Sequence, residues 1–152
     1  MAVNIDLSLL KKLREETSAS VSDCRRALEE SNGNYDKALE WLKKRAAEKA
    51  EKKADRETGE GLVEPYIHQN GKIGVLVEIL CETDFVARTD DFKKLAHEVA
   101  MQIAAMNPKD TEELLAQPFI KDPGMTIQEL VKQTIGKLGE NITVKKFARL
   151  EI

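Results

Sequence analysis

Residues 62–80 read LVEPYIHQNGKIGVLVEIL, and both halves of this stretch follow the side-chain period of two that is typical of β-strands. Asn70-Gly71, between the halves, is a strong signal for a hairpin turn. Pro65 has no amide hydrogen to donate to a neighbouring strand, which places the first strand at an edge or a bulge. We expect one face of the second strand to be apolar and to comprise Ile73, Val75, Val77 and Ile79. The stretch therefore predicts a pair of antiparallel strands.

A long helix is predicted after the hairpin. Thr89 can cap it, and Asp90 and Asp91 suit the positive end of a helix dipole. Asn107-Pro108 is expected to stop it. Its buried stripe is expected to consist of Phe92, Leu95, Ala96, Val99 and Ile103.

Three further elements complete this part of the chain. Thr111 is expected to cap a helix of one or two turns, and residues 118–124 are expected to form a loop. Residues 126–138 open with the Thr-x-x-Glu spacing of a capping box, so we expect a helix there that Gly139 ends. A last strand, interrupted by Lys146, is expected to place on one face Ile142, Val144, Ala148, Leu150 and Ile152. Together with the hairpin, these elements predict an α+β core with a three-stranded antiparallel sheet packed with helices.

The amino-terminal part predicts a different structure. Residues 1–42 contain three short apolar patterns with helical spacing, and the first includes Leu7, Leu10 and Leu13. Asp6 or Asn4 can cap the first helix, Ser20 the second and Asn34 the third. We therefore expect a small three-helix bundle.

A charged segment separates the two parts. Residues 43–57 hold seven basic and four acidic side chains with only alanines between them. Such a composition favours a solvated helical spacer, and phosphate binding is a weaker alternative because the acids partly cancel the charge. Residues 1–58 carry 13 Lys+Arg and 12 Asp+Glu, whereas residues 59–152 carry 11 and 15. We therefore expect a bundle at 1–42, a helical linker at 43–58 and a core domain at 59–152.

The composition excludes several classes of protein. The 152 residues include 24 Lys+Arg and 27 Asp+Glu, so the chain has no global positive field for nucleic acid. No stretch has the roughly 20 apolar residues of a membrane span, and the first residues lack the basic start and apolar run of a signal peptide. Cys24 and Cys81 have no metal-ligand spacing and are expected to be reduced and buried. We expect a cytoplasmic protein.

Few residues are candidates for chemistry. The chain has no phosphate-binding glycine loop, nucleophile elbow or zinc-protease motif. His68 and His97 are better explained as structural or exposed histidines than as catalytic ones. The sequence gives little support to an enzyme, and we expect no catalytic residue, no metal site and no cofactor.

The segment Glu82-Thr83-Asp84-Phe85-Val86-Ala87-Arg88 stands out, because it lies between a strand and a helix that already has its own cap. A turn does not require a phenylalanine. Either Phe85 folds back into the core and Asp84 only caps a short turn, or Asp84 and Phe85 form an exposed acid and aromatic on a rigid corner, as in an interface hot spot.

At this point the sequence resembles the elongation factor Ts family, the guanine nucleotide exchange factors of elongation factor Tu. Three separated segments carry the resemblance. They are Leu13–Thr17 with Asp23–Leu28 and Gly33–Ala38; Thr83–Arg88; and Gln117–Asp122 with Gly139–Ile142 and Phe147–Arg149. They occur in the family's order over nearly the whole chain.

The resemblance implies a fold and a partner. The family has an amino-terminal module like the ubiquitin-associated domain, a helical linker and an α+β core. The module docks on the GTPase domain of elongation factor Tu, and here its contact residues would be Val21, Ser22 and Arg25. Many members have methionines at the positions of Val21 and Ser22, and glycines at those of Ser18 and Ser20.

The resemblance also assigns a role to the corner. In the family it intrudes beside the magnesium and phosphate site of the GTPase, and here it comprises Thr83, Asp84, Phe85, Val86, Ala87 and Arg88. Asp84 and Phe85 would be the disrupting pair. An exchange factor must favour a partner conformation in which the contacts to GDP are lost, which needs neither a catalytic acid nor a metal ligand.

Longer members of the family have two related core subdomains, and the roughly 94 residues after the boundary leave room for one. We therefore expect a homodimer that binds two molecules of elongation factor Tu in a 2:2 complex, without direct contact to nucleic acid or membrane. Two alternatives are a ubiquitin-associated-like module on an unrelated scaffold, and a small nucleic-acid-binding protein that uses the basic stretch from Lys43 to Lys53.

Overall fold

A computed structural model describes residues 4–152 of the chain. It is an α+β protein whose described part has seven helices and five strands. In chain order the elements are α1 (Leu7–Thr17), α2 (Val21–Glu30), α3 (Tyr35–Lys53), β1 (Glu60–Ile67), β2 (Ile73–Cys81), α4 (Asp84–Ala87), α5 (Asp90–Met106), α6 (Thr111–Ala116), β3 (Pro118–Phe119), β4 (Asp122–Thr126), α7 (Ile127–Leu138) and β5 (Thr143–Glu151). No helix among these residues is long and apolar enough to cross a bilayer.

The predicted three-stranded antiparallel sheet is present, with the strand order β1-β2-β5. β1 lies at an edge, as Pro65 indicates, because a central strand would need the missing amide hydrogen. One face of the sheet packs on α5, and every residue of the predicted α5 stripe is buried. The core-facing residues of β2 at positions 75, 77 and 79 are also buried.

The prediction for the last strand is wrong in its second half. Val144 pairs with Ile79, whereas Lys146 pairs with the preceding residue Glu78, so Lys145 is the extra residue of a β-bulge. The bulge reverses the alternation of side chains. Phe147 therefore packs on the core, while the outer face receives Ala148, Leu150 and, beyond the strand, Ile152.

The first three helices enclose a small core of their own around Leu13, Leu28 and Leu42. Asp6, Ser20 and Asn34 cap them as predicted. Leu7 is not part of this core, because its side chain is 76% exposed. A spacing of three residues drifts around a helix, and the residues that face the bundle together with Leu13 are Leu9 and Leu10, four and three positions earlier.

The charged segment is helical as far as Lys53, but one of its faces is packed, unlike the fully solvated spacer that its composition predicts. α3 continues from the bundle to Lys53 and packs along α7, where Ala50 is buried in the larger core. The Cα of Ala46 lies so close to Gly136 that a Cβ there would be 3.8 Å from it. Small residues let the two helices approach closely. The alanines of the charged segment, which were expected to be solvated, therefore form the contact with α7.

Two smaller predictions are also wrong. Asp110 rather than Thr111 caps α6, since its carboxylate accepts the amide of Glu113 at 2.8 Å. Residues 118–124 do not form an open loop but belong to a two-stranded ribbon, β3 and β4. Buried Gln102 on α5 stabilises it by donating to the Pro118 carbonyl at 3.1 Å and accepting from the Ile120 amide at 3.0 Å.

Candidate functional site

The predicted corner is a single helical turn, α4, held between the end of β2 and the start of α5. Two threonines fix its ends. The hydroxyl of Thr83 accepts the amide of Val86 at 3.3 Å, and the hydroxyl of Thr89 donates to the Val86 carbonyl at 2.7 Å while capping α5. A helix of four residues cannot stabilise itself, so these side chains define its position.

Phe85 does not fold back into the core. Its side chain is 78% exposed, whereas its neighbours Val86 and Ala87 pack on the core beside β1 and β2. An exposed aromatic ring on an anchored turn forms a protruding apolar surface. The prediction that Phe85 folds into the core is therefore wrong. The structure has the other predicted arrangement, in which Phe85 is exposed on a rigid corner.

Asp84 lies beside Phe85 and is half-exposed. Its carboxylate is 3.1 Å from the guanidinium of Arg88, one helical turn later. Such an exposed pair contributes about 0–1 kcal/mol to stability. Its main effect is to orient the carboxylate along the surface of the corner.

Glu140 holds the corner from a distant part of the sequence. Its Oε1 accepts the backbone amides of Glu82 at 3.1 Å and Thr83 at 2.9 Å, and its Oε2 accepts the Thr83 hydroxyl at 2.7 Å. In return, Glu82 Oε2 accepts the amide of Asn141 at 2.8 Å. No local pattern in the sequence assigns a role to Glu82, Glu140 or Asn141. The available signal was a polar pair directly after the helix-ending Gly139, in a segment that the resemblance already included.

Buried Asn141 connects this network to the end of α3. Its side-chain amide donates to the carbonyls of Ala54 at 3.3 Å and Arg56 at 2.9 Å. The guanidinium of Arg56 lies 3.6 Å from Glu82. The helix that begins in the amino-terminal bundle is therefore tied to the residues that support the corner.

Cys81, at the end of β2, is buried directly behind the corner. Its thiol donates to the Thr83 carbonyl at 3.1 Å. Burial, followed by the charge of Glu140, raises the pKa of the Cys81 thiol to about 11. Cys81 is a free, buried side chain, as the sequence predicts, and its thiol is a hydrogen-bond donor within the support of the corner.

The predicted amino-terminal contact residues share one side of α2. Val21, Ser22 and Arg25 are all exposed, and Arg25 lies 4.0 Å from Glu29 in a surface ion pair. Ser18, just before this helix, has a left-handed backbone with φ 56°. That conformation suits the glycine that the resemblance places there, so the serine is mildly strained.

A second exposed surface lies on the sheet face that α5 does not cover. Its apolar residues are Val63, Pro65, Ile67, Leu76, Ala148 and Leu150. Glu78 lies on the same face between Lys145 and Lys146, with separations of 3.8 and 3.9 Å. We call this set the outer sheet face.

A cavity among the described residues lies elsewhere. It has a volume of about 620 Å³ and lies between the amino-terminal helices and α7, with Arg14, Lys43 and Lys132 among its lining residues. None of residues 82–88 lines it. Within residues 4–152 no group of three or more His, Cys, Asp or Glu side chains could hold a metal ion. The corner is thus an exposed protrusion that is separate from this cavity.

Two comparisons with known proteins bear on the family of this chain. A family model described as Elongation factor TS matches residues 82–152, the segment that begins at the corner. An elongation factor Ts of Fervidobacterium nodosum is 42% identical over 99% of this chain and 99% of its own length. This chain belongs to the elongation factor Ts family. Its function is therefore that of a guanine nucleotide exchange factor for elongation factor Tu in translation elongation.

Other elongation factors Ts differ from this chain in length. One from Methylacidiphilum infernorum is 40% identical over 100% of this chain and 97% of its own length. One from Nostoc is 48% identical over 94% of this chain but only 45% of its own length. The alignment with the Fervidobacterium protein extends over 195 positions, although this chain has 152 residues, so that relative contains internal residues that this chain lacks.

Proposed function

We propose that this chain promotes GDP release by inserting the α4 corner beside the magnesium and phosphate site of elongation factor Tu. Phe85 is the wedge and Asp84 its charged companion. Thr83, Val86 and Ala87 hold the turn on the core, and Arg88 orients the carboxylate of Asp84. The observation that carries the proposal is the exposure of Phe85 on a turn that is capped at both ends.

Such a wedge acts because it binds one conformation of elongation factor Tu more tightly than another. Burial of a Phe85-sized ring provides about 1.5–3 kcal/mol, which is available only in the partner conformation that accepts the ring. Because coupling between ligands is reciprocal, any factor by which the chain lowers GDP affinity is also the factor by which GDP lowers the affinity of the chain. The carboxylate of Asp84 can compete for donors that otherwise contact phosphate.

We further propose a division of labour along the chain. Residues 1–42 form a docking module like the ubiquitin-associated domain, residues 43–58 a linker, and residues 59–152 the core and dimerisation domain. In the docking module, Val21, Ser22 and Arg25 contact the GTPase domain. Residues 1–3 of the module lie outside the described residues.

The outer sheet face supports the homodimer. A two-fold dimer pairs the same patch of both subunits, so an apolar patch is covered by its own copy. The charges on this face are also self-complementary, because Glu78 of one subunit can approach Lys145 or Lys146 of the other. We propose that a second copy of the chain covers the outer sheet face, which gives a 2:2 complex with elongation factor Tu.

The proposed mechanism involves no covalent step. Exchange by displacement requires no catalytic residue and no cofactor of the factor itself, so we propose that the chain is not an enzyme in the covalent sense. We place it in the cytoplasm, with a protein partner and not nucleic acid or a membrane surface.

The experiment that tests the mechanism follows fluorescent GDP release from elongation factor Tu as the concentration of this chain increases. The curve gives a maximal rate and a half-saturating concentration. Variants of the corner are expected to lower the maximal rate, while variants of α2 are expected to raise the half-saturating concentration. Circular dichroism confirms that each variant is folded. A corner variant that changes only the half-saturating concentration would assign the corner to docking and contradict the proposal.

A further inference from the structure

Glu140 braces the corner from a distant part of the sequence, in addition to the threonines that fix its two ends. The hydroxyl of Thr83 accepts the backbone amide of Val86 in α4 and donates to Glu140 Oε2. Glu140 Oε1 also accepts the backbone amides immediately before the turn. Three donors converge on one carboxylate, and bonds to an ionised acceptor are stronger and more directional than neutral ones.

The support of Glu140 is itself rigid. Glu140 directly follows Gly139, whose left-handed backbone at φ 77° ends α7. Asn141, the next residue, is buried and bonded to Glu82 and to the end of α3. Segments 82–83 and 140–141 thus brace each other with two carboxylates: Glu140 accepts two backbone amides of the first segment, and Glu82 accepts one of the second. Movement of Glu140 would turn the whole four-residue helix.

We propose that Glu140 is a positioning residue for nucleotide exchange, which sets the orientation of α4 so that Phe85 meets its site on elongation factor Tu. This inference rests on the proposed role of Phe85. Glu140 acts through Thr83 and need not touch the partner. A small misplacement of a group that must fit a defined geometry can cost up to about 100-fold in rate, so the loss of the brace is expected to be large.

The test compares Glu140→Ala with Glu140→Gln in the GDP release experiment. Glu140→Ala removes all three bonds and is expected to lower the maximal rate at least about tenfold with little change in half-saturating concentration. Glu140→Gln retains an acceptor oxygen for the backbone amides and is expected to restore the rate to within about threefold. Val131→Ala, a buried change in α7, controls for lost stability and should keep the maximal rate.

The corner variant Phe85→Ala separates the two proposals. In its background, Glu140→Ala is expected to have no further effect, since both changes remove the same wedge. A full rate with Phe85→Ala overturns the proposed function itself. If Phe85→Ala lowers the maximal rate but Glu140→Ala does not, only the role of Glu140 is overturned. The same conclusion follows if the effects of the two changes on the rate are fully additive. If Glu140→Ala does not fold, Glu140→Asp replaces it in the test, because it withdraws the carboxylate by one methylene. Glu140→Asp is then expected to lower the maximal rate, and a normal rate overturns the inference.

Discussion

Leu76 lies directly opposite Ala148 on the outer sheet face, and its side chain is 53% exposed although it belongs to the central strand. A leucine in the middle of a sheet is usually covered on the face to which it points. Leu150, two residues after Ala148, is 79% exposed on the same face. The pair therefore marks the centre of a surface that a second subunit can bury.

Leu76→Glu is expected to convert the proposed homodimer into a monomer. A carboxylate at the centre of the interface would be buried opposite its own copy, and desolvation together with like charge opposes association. Light scattering at tens of micromolar is expected to show twice the chain mass for the unchanged protein and the chain mass for the variant. Gln128→Glu adds the same charge on the exposed side of α7 and should remain dimeric. A strict monomer for the unchanged protein contradicts the proposal.

Gly61→Ala is expected to destabilise the core by at least ~2 kcal/mol. Gly61 has φ 151°, and a Cβ at this position would lie 2.1 Å from the Ile79 carbonyl oxygen. The strand would have to move away from β2 to accommodate it. Gly59→Ala is the matched control, because nothing lies within 4 Å of a Cβ there. Denaturant unfolding measures both, and equal stabilities of the two variants would contradict the close approach.

The double change Val21→Ala and Arg25→Ala is expected to raise the half-saturating concentration in GDP release about tenfold, which corresponds to ~1.4 kcal/mol of docking energy. The maximal rate is expected to remain unchanged, because the corner is intact. Leu7→Ala, an exposed apolar residue on α1, is the control and should alter neither value. A lower maximal rate for the double variant would show that α2 does more than dock.

The thiol of Cys81 is expected to lose its proton only at high pH in the folded protein. Its pKa is raised from 9.0 to about 11, first by burial and then by Glu140, so folding favours the protonated form. The resulting stability is fully present below about pH 9 and disappears as the pH rises through about 11. Thiolate absorbance in a Cys24→Ala background measures the titration, and Glu140→Gln should lower the pKa. A native thiolate near pH 9 would contradict this environment.

The sequence predicted the elements that local pattern determines. Alternation located β1 and β2, helical spacing located the buried stripe of α5, and side-chain caps marked five helix starts at Asp6, Ser20, Asn34, Thr89 and Thr126. The resemblance supplied the family, which the comparisons confirm. Each of these signals lies within a few residues of the element that it predicts.

The features that escaped prediction depend on distant residues. The bulge at Lys145 is visible only in the pairing of β5 with β2, and the ribbon after α6 depends on Gln102 from another helix. The burial of Ala50 depends on the packing of α3 against α7. On α3, one turn before Ala50, Ala46 lies beside Gly136 of α7. The bonds from Thr83 to Glu140 cross 57 positions of sequence. No local pattern records such contacts, so the support of the corner became apparent only in three dimensions.

The most direct test of the mechanism is the maximal rate of fluorescent GDP release from elongation factor Tu at saturating Phe85→Ala. Met106→Ala, which removes another exposed apolar side chain at the far end of α5, is the matched control and should keep the normal rate. Loss of the wedge is expected to lower the maximal rate at least about tenfold, since buried aromatic anchors dominate such interfaces. A folded Phe85→Ala protein with the maximal rate of the unchanged chain would contradict the proposed mechanism.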